Sequence, residues 1–298
     1  MTAIRRIRVR AHAKINLTLR VGALRPDGYH GLETVFQTLA LHDTVVAEAH
    51  RGPFALRCDD PNVPLGRANL AWRAAEALWD RAGRAGRPRG ARVVIRKRVP
   101  MQAGLGGGSS DAAATLLALN DLWRLDVDAP ALSGIGATLG ADVPSFLVGG
   151  AVLGLGRGDE VYPLADASSF HVVLAFPPFG VATRDAYHWL DVDRTAAPAE
   201  PSGGSGLISV WPGRCLAIVN DLAGPVSRRH PEIGLLRETL RQSGAVAAEM
   251  TGSGSCVFGL FRSLTEARRG SHRAASDGAW TMVTRTIARR RRRAGTRR

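Results

Sequence analysis

Between positions 100 and 113 the chain reads Pro-Met-Gln-Ala-Gly-Leu-Gly-Gly-Gly-Ser-Ser-Asp-Ala-Ala, with glycine at 104, 106, 107 and 108. Glycines at this density exclude a regular strand or helix over the loop and open backbone conformations that other residues avoid. Ahead of it, Val93-Val94-Ile95 has the composition of a strand that closes before Pro100; behind it, residues 112–122 form an apolar helical run. Strand, pliant loop and helix N-terminus in that order make an anion cradle. The loop turns N–H groups inward, and the dipole and unpaired amides of the first helical turn favour negative charge. Ser109 and Ser110 suit the N-cap of that helix. A polyphosphate site is expected; a flexible glycine turn without a ligand is the plainer alternative.

Two common phosphate loops do not fit. A Walker A loop ends in Gly-Lys-Ser/Thr, whereas Gly108 is followed by Ser109-Ser110. A dinucleotide fingerprint requires glycine at position 109 and an acidic residue on the next strand, and neither is present.

The length of 298 residues, 45% of them hydrophobic, is enough for a large core and predicts two domains. No apolar run approaches a membrane span, and the first residues lack the core of a signal peptide. Cys58, Cys215 and Cys256 are odd in number, far apart and without metal-ligand spacing, which fits a reducing cytoplasm. Seven arginines crowd positions 289–298 and carry half of the net charge of +14. Such a block predicts a solvated, disordered tail in preference to a specific nucleic-acid or membrane contact. Only Lys14 and Lys97 among forty basic residues are lysine. A position that stays lysine where arginine serves elsewhere points to a need for a compact ammonium.

Period-two alternation predicts a strand over 7–21, with Lys14 and Asn16 on one side and Ile15 and Leu17 on the other. Further strands are expected over 35–41, 44–49, 91–99, 171–176 and 280–287, with a strand pair within 149–164. Helices are expected over 69–82, 131–139, 233–243 and 267–276. Arg25-Pro26-Asp27-Gly28-Tyr29-His30-Gly31 is turn-rich, 196–206 has the composition of a surface loop, and Thr251-Gly252-Ser253-Gly254-Ser255 is a second small-residue turn. Strands next to strands, interrupted by helices, indicate an α+β fold rather than a doubly wound sheet. The expected domains are 1–165 and 166–288, followed by the tail at 289–298.

The glycine loop resembles the ATP loop of the GHMP kinases (galactose, homoserine, mevalonate and phosphomevalonate kinases and relatives). Three further segments follow that family's order and rough spacing, Ala13-Lys14-Ile15-Asn16-Leu17, Gly140-Ala141-Asp142-Val143-Pro144 and Gly252-Ser253-Gly254-Ser255, and with Asp27-Gly28-Tyr29-His30 and Phe36-Gln37-Thr38-Leu39 they resemble one branch of it. The Tyr-His pair is similar to that of the branch acting on 4-diphosphocytidyl-2-C-methyl-D-erythritol. The resemblance spans roughly residues 8 to 287. It implies a two-domain fold, with an N-terminal domain like one found in a ribosomal protein and an α/β-sandwich C-terminal domain. It also implies transfer of the γ-phosphoryl of ATP, with Mg2+, to the 2-hydroxyl of that substrate.

By the same resemblance Asp142 is the catalytic base, and Lys14 holds it ionised and draws in the hydroxyl. Pro100, Met101, Gln102, Ala103, Gly104, Leu105, Gly106, Gly107, Gly108, Ser109 and Ser110 would bind ATP, with Ser109 or Ser110 reaching the magnesium ion. Lys97 and Asn69, with Leu70, would border the nucleotide. Asn16, Tyr29, His30, Tyr187, Gly252 and Ser253 would bind the substrate, with Tyr29, His30 and Tyr187 at its cytosine. For several residues a plainer role stands alongside: Asp142 as the N-cap of a helix, Lys14 and Lys97 as strand-edge charges, Tyr29 as a turn aromatic. Asp111 is expected to cap the helix after the loop. Gln102-Ala103 departs from the family pattern, in which many relatives carry more glycine.

A kinase of the same fold acting on mevalonate or homoserine is the alternative within enzymes, and a basic RNA-binding protein the alternative outside them. The expected partner is the small-molecule substrate, without specific nucleic acid or membrane, in a cytoplasmic monomer or weak homodimer.

Overall fold

The computed structural model describes residues 5–166, 169–196 and 218–289. The expected loop over 196–206 and the arginine tail lie outside them, apart from Ala196 and Arg289. The alternation Arg6-Ile7-Arg8-Val9-Arg10-Ala11 opens strand β1 (Arg6–Leu24), with the arginines exposed and Ile7, Val9 and Ala11 packed beneath helices. β1 pairs antiparallel with β2 (His30–Pro53), a single strand where two were expected. The ladder slips where the break was read: from His12 to Lys14 it runs past residues 42 to 38 of β2. Such an irregularity breaks the period-two pattern without ending the strand.

The slip also exchanges the faces of β1. Ile7, Val9 and Ala11 face the helices before it, whereas Ala13, Ile15 and Leu17 join the seam between the two sheets after it. Even positions turn correspondingly from solvent to the helix side, which carries Lys14 and Asn16 inward.

The first sheet has the order β3-β4-β2-β1-β8, with β3 (Ala55–Cys58), β4 (Arg89–Arg96) and a parallel addition from β8 (Val219–Asn220). β5 (Ala151–Leu155) pairs with the first half of β2, and β6 (Glu160–Pro163) pairs with β5. Helices α1 (Leu70–Arg81), α2 (Gly107–Trp123), α3 (Ala129–Leu139) and α4 (Val143–Val148) accompany this sheet. Asn69 caps α1 by accepting from the Ala71 N–H, and Asp128 caps α3 through the Ala131 N–H. Ala112, Ala113, Ala114 and Ala118 let α2 lie close to the sheet.

The second sheet has the order β11-β7-β10-β9, made of β7 (His171–Phe176), β9 (Ala247–Met250), β10 (Val257–Phe261) and β11 (Trp280–Arg285), all antiparallel. Its helices are α5 (Thr183–Ala196), α6 (Ala223–Arg229), α7 (Pro231–Gln242) and α8 (Leu264–Ser276). α5 and α6 were not expected, and α4 was expected only as a helix capped by Asp142; α4 and α6 are too short to show a helical period. The architecture is α+β, as the alternation of strand pairs and helices indicated. No helix among the described residues is long and apolar enough to cross a membrane.

The two sheets meet through Ile15, Leu39 and Leu105 on one side and Leu174, Phe258 and Leu260 on the other. Because Phe258 is wholly buried in that seam, Phe258→Ala should cost about 3–5 kcal/mol of unfolding free energy. Urea denaturation would measure it, and a loss below about 1 kcal/mol would mean that the seam is loosely packed.

Candidate active site

The glycine loop hangs between two fixed points. On its β1 side the Lys14 N–H donates to the Leu105 carbonyl (3.1 Å). On its other side Gly104 abuts the second small-residue turn, where a Cβ would stand 2.3 Å from the Thr251 carbonyl oxygen. A Cβ on Gly106 would meet the Phe146 ring at 2.6 Å and Lys14 Cε at 3.3 Å. Both glycines have φ near 70°, so glycine is required here for conformation as well as for room. Gln102 takes φ 55° at the position where the sequence departs from the family, at a cost of roughly 1–2 kcal/mol for a side-chain-bearing residue.

The expected serine caps are absent. α2 begins at Gly107 with Gly106 as N-cap and no side-chain cap bond. Ser110 is the first residue to pair within the helix, through its N–H to the Gly106 carbonyl (2.9 Å). The amides of Gly107, Gly108 and Ser109 therefore keep their hydrogens for another acceptor. They border a cavity of about 360 Å³ with walls from Val63, Pro64, residues 68–70, Lys97, loop residues 100–109 and Asp111. Its far end is apolar, with Val63, Pro64, Leu70 and Met101. Polar amides at one end and an apolar slot at the other fit a nucleotide with its phosphates at the helix terminus.

Ser110 does not border this cavity; its hydroxyl donates to the His12 carbonyl (2.7 Å). Asn69 lines it, but its side chain is committed to the Ala71 N–H and the Pro64 carbonyl. Lys97 lines it as well, held between Asp43 (2.5 Å) and Asp111 (2.8 Å). Asp111 is thus not a cap but a buried partner of Lys97 inside α2. Burial works against the Lys97 charge, yet the two carboxylates outweigh it and raise its pKa. Burial, reinforced by Asp43 and opposed by Lys97, raises Asp111. Asp43 also accepts the N–H groups of Arg98 and Val99, tying β2 to the segment that leads into the loop.

Lys14 and Asp142, distant in sequence, meet at the other end of the loop: Nζ stands 3.6 Å from Asp142 Oδ2. The ammonium donates to Asn16 Oδ1 (2.5 Å) and lies 5.4 Å from the Phe36 ring centroid. Lys14 is 4% exposed. Burial lowers its pKa, and the nearby Asp142 charge acts in the opposite direction. Asp142 occupies the N-cap position of α4 but makes no capping bond, and its carboxylate is partly open to solvent.

Asn16 spans both halves of the molecule. Its N–H donates to Thr251 Oγ1 (3.0 Å), and its side-chain amide donates to Thr34 Oγ1 (2.8 Å). Asn220 Nδ2 donates to the carbonyls of Met250 and Gly252 (2.8 Å each), holding the second turn in place. Asn220, Thr34 and Thr251 were not expected in the site, because their roles arise only when β8 and the turn come together. Gly252 lies 3.3 Å from Gly104, measured from its Cβ position, and Ser253 Oγ pairs with Thr183 Oγ1 (3.1 Å).

His30 stacks on Tyr187, with ring centroids 5.4 Å apart. Both His30 ring nitrogens face acceptors, the Gly22 carbonyl (3.1 Å) and Asp191 Oδ2 (3.2 Å). Its ring edge is therefore occupied, which leaves its face and backbone for a ligand. Tyr29 is 59% exposed, with the Arg157 guanidinium 5.4 Å from its ring centroid. Burial, with a smaller contribution from Asp142, pushes the Tyr187 phenol up to about 12, so it stays a neutral hydrogen-bond donor.

Residues 69–150 match the family model for the GHMP kinases N terminal domain, and residues 211–279 that for the GHMP kinases C terminal domain. A 4-diphosphocytidyl-2-C-methyl-D-erythritol kinase of Moorella thermoacetica is 39% identical over 93% of this chain and 98% of its own length. The protein of the same description from Pelotomaculum thermopropionicum is 37% identical over 93% and 96%. Among solved structures, a crystal structure of 4-(cytidine 5'-diphospho)-2C-methyl-D-erythritol kinase superposes with TM-score 0.76 at 35% identity, covering 94% of this chain and 99% of that one. Homoserine kinase from Cytophaga hutchinsonii shares the fold with TM-score 0.65 at 16% identity, covering 97% of each chain.

With two lysines in the whole chain, protein carrying 13C-labelled lysine gives two side-chain signals. Lys14 should titrate below the ordinary lysine value and Lys97 above it. Asp142→Asn removes a charge that raises the Lys14 pKa, so it should move that titration lower still. Two signals titrating together at the ordinary value would contradict the burial argument for both.

Proposed function

The chain belongs to the GHMP kinases and, within them, to the 4-diphosphocytidyl-2-C-methyl-D-erythritol kinases, and on that footing we propose how its residues divide the work of moving the γ-phosphoryl of ATP to the substrate 2-hydroxyl. The observation that carries the reading is the meeting of Lys14 and Asp142 at 3.6 Å beside the glycine loop. A tertiary alcohol is a crowded and weak nucleophile, so placement and control of charge supply most of the rate. Asp142, uncapped and partly open, accepts the hydroxyl proton. Lys14 stands against it as a fixed positive charge, keeping the carboxylate ionised and offsetting charge that develops on the attacking oxygen. Asn16 holds the ammonium in place, and through Thr251 it ties that ammonium to the second small-residue turn.

The free amides at the start of α2 hold the phosphates, and the slot from Val63 to Leu70 takes the adenine. Lys97 acts from behind, as a strut between β2 and α2, and Asn69 shapes the wall by capping α1. When bound, a magnesium ion would neutralise phosphate charge and orient the transferring group. No group of three or more His, Cys, Asp or Glu among the described residues forms a metal cage. An ion of this kind is carried mainly on phosphates, and the Ser109 hydroxyl at the edge of the cavity would be the protein's contribution. At the substrate end the exposed Tyr29 ring and the His30–Tyr187 stack offer flat surfaces to cytosine, and Gly252 and Ser253 approach from the second sheet. The reading extends to a cytoplasmic enzyme working as a monomer or weak homodimer, without nucleic acid or membrane.

Incubation with magnesium, ATP and 4-diphosphocytidyl-2-C-methyl-D-erythritol should yield the 2-phosphorylated product, identified by mass and 31P spectra. Phosphorylation of mevalonate or homoserine in its place would overturn the substrate assignment. Asp142→Asn should lower turnover by roughly two to four orders of magnitude while leaving nucleotide affinity within a few-fold. A fully active variant would remove Asp142 from the chemistry.

A further inference from the structure

Lys97 and Arg98 are consecutive, yet they border different cavities. Lys97 lines the nucleotide slot, whereas Arg98 lines a second space of about 420 Å³ where β2, β7, β11 and the start of α8 meet. Arg285, His42 and His171 join Arg98 there, and no Asp or Glu is among the lining residues. Neither guanidinium has a hydrogen-bond or ion-pair partner among the described residues. Both are exposed residues, in contrast to the partly buried Arg92 and Arg237, which pair with Glu48 and Glu249. The His42 ring is fixed by its Nδ1–H, which donates to the Ala40 carbonyl (2.7 Å) and leaves Nε2 for another partner. Apart from Thr284, whose hydroxyl accepts the Leu41 N–H, the remaining wall is apolar, and its Leu264 and Val283 are 39% and 38% exposed.

We propose that this cavity is a second ligand site, separate from the nucleotide slot, that takes a small phosphate ester bearing an apolar group. Two unpartnered guanidiniums on one cavity match the charge of a phosphate dianion, and each can offer it a fork of donors; His42, whose Nδ1 hydrogen is already committed, donates from Nε2 only as an imidazolium. The apolar wall, left open to water, supplies the surface that an alkyl or similar group would cover. A plain anion would leave that wall exposed, and an uncharged apolar molecule would leave the arginines unmatched.

The test uses the full chain saturated with magnesium and a non-hydrolysable ATP analogue, so that the glycine loop is filled. Titration calorimetry at low salt then compares butyl phosphate with inorganic phosphate. One site is expected for butyl phosphate, with affinity at least tenfold above that for inorganic phosphate. Arg285→Gln and Arg98→Gln should each weaken it at least tenfold, and Arg285→Gln should keep its melting temperature and its turnover within twofold. No binding once the nucleotide slot is filled, or binding indifferent to Arg285→Gln, would overturn the site. Loss of binding on removing residues 290–298 would assign it to the arginine tail and overturn it equally. Equal affinity for the two probes would overturn the ligand class.

Discussion

An ammonium withdrawn from water must be met by acceptors, and the Lys14 side chain imposes that demand on the rest of the structure. Leaving such a charge unpaired inside a protein costs several kcal/mol. Here Asn16 and Asp142 meet it, with the Phe36 ring beside them. Each of these partners is in turn held by a different part of the chain. Asn16 is fixed by Thr34 from β2 and by Thr251 from the second half of the molecule. Asp142 is delivered by the short α4, whose Phe146 also closes against Gly106. That buried charge is therefore stable only where strand, helix, glycine loop and second turn are all in place.

That convergence depends on a local irregularity in an otherwise regular hairpin. Had β1 kept its alternation, Lys14 would share a face with the exposed Arg6, Arg8 and Arg10. The slip opposite residues 38–42 exchanges the faces. As a result the same strand packs one core beneath the helices with Ile7 and Val9, and another between the sheets with Ala13 and Ile15. A single long strand thereby serves as the wall of two cores and as the carrier of the buried Lys14.

The glycine loop shows how backbone freedom is confined where a ligand is to be met. Gly104 and Gly106 are placed by contacts that would not admit a side chain, so the loop is not slack despite its composition. Beneath it, Asp43 joins the chain leading into the loop to Lys97 and, through Lys97, to α2. Two carboxylates share one ammonium in that cluster. One of them, Asp111, is raised by burial, and its Oδ1 has no hydrogen-bond partner.

Much of this was legible in the sequence, for physical reasons. A run of glycines between a strand and a helix has few uses other than close approach to an anion, and retention of lysine at only two positions in an arginine-rich chain marked Lys14 and Lys97. Alternation sufficed to show β1, a short apolar run showed β7, and the order of strand pairs and helices showed the α+β class. The errors fall where side chains had a choice of partner. Ser109 and Ser110 have the chemistry of N-caps, yet the helix starts two residues earlier, at Gly107, which leaves the first amides free. Asp111 also has that chemistry, yet it lies within α2 facing Lys97. Asn220 carries no local signal at all, because its function is to hold a turn that comes from thirty residues later in the chain. Local pattern determined which residues could do the chemistry, since spacing and residue type set what a short segment can bind. The tertiary structure decided which of them meet, since the distance between Lys14 and Asp142 is set by a strand slip and a sheet seam that neither segment encodes alone.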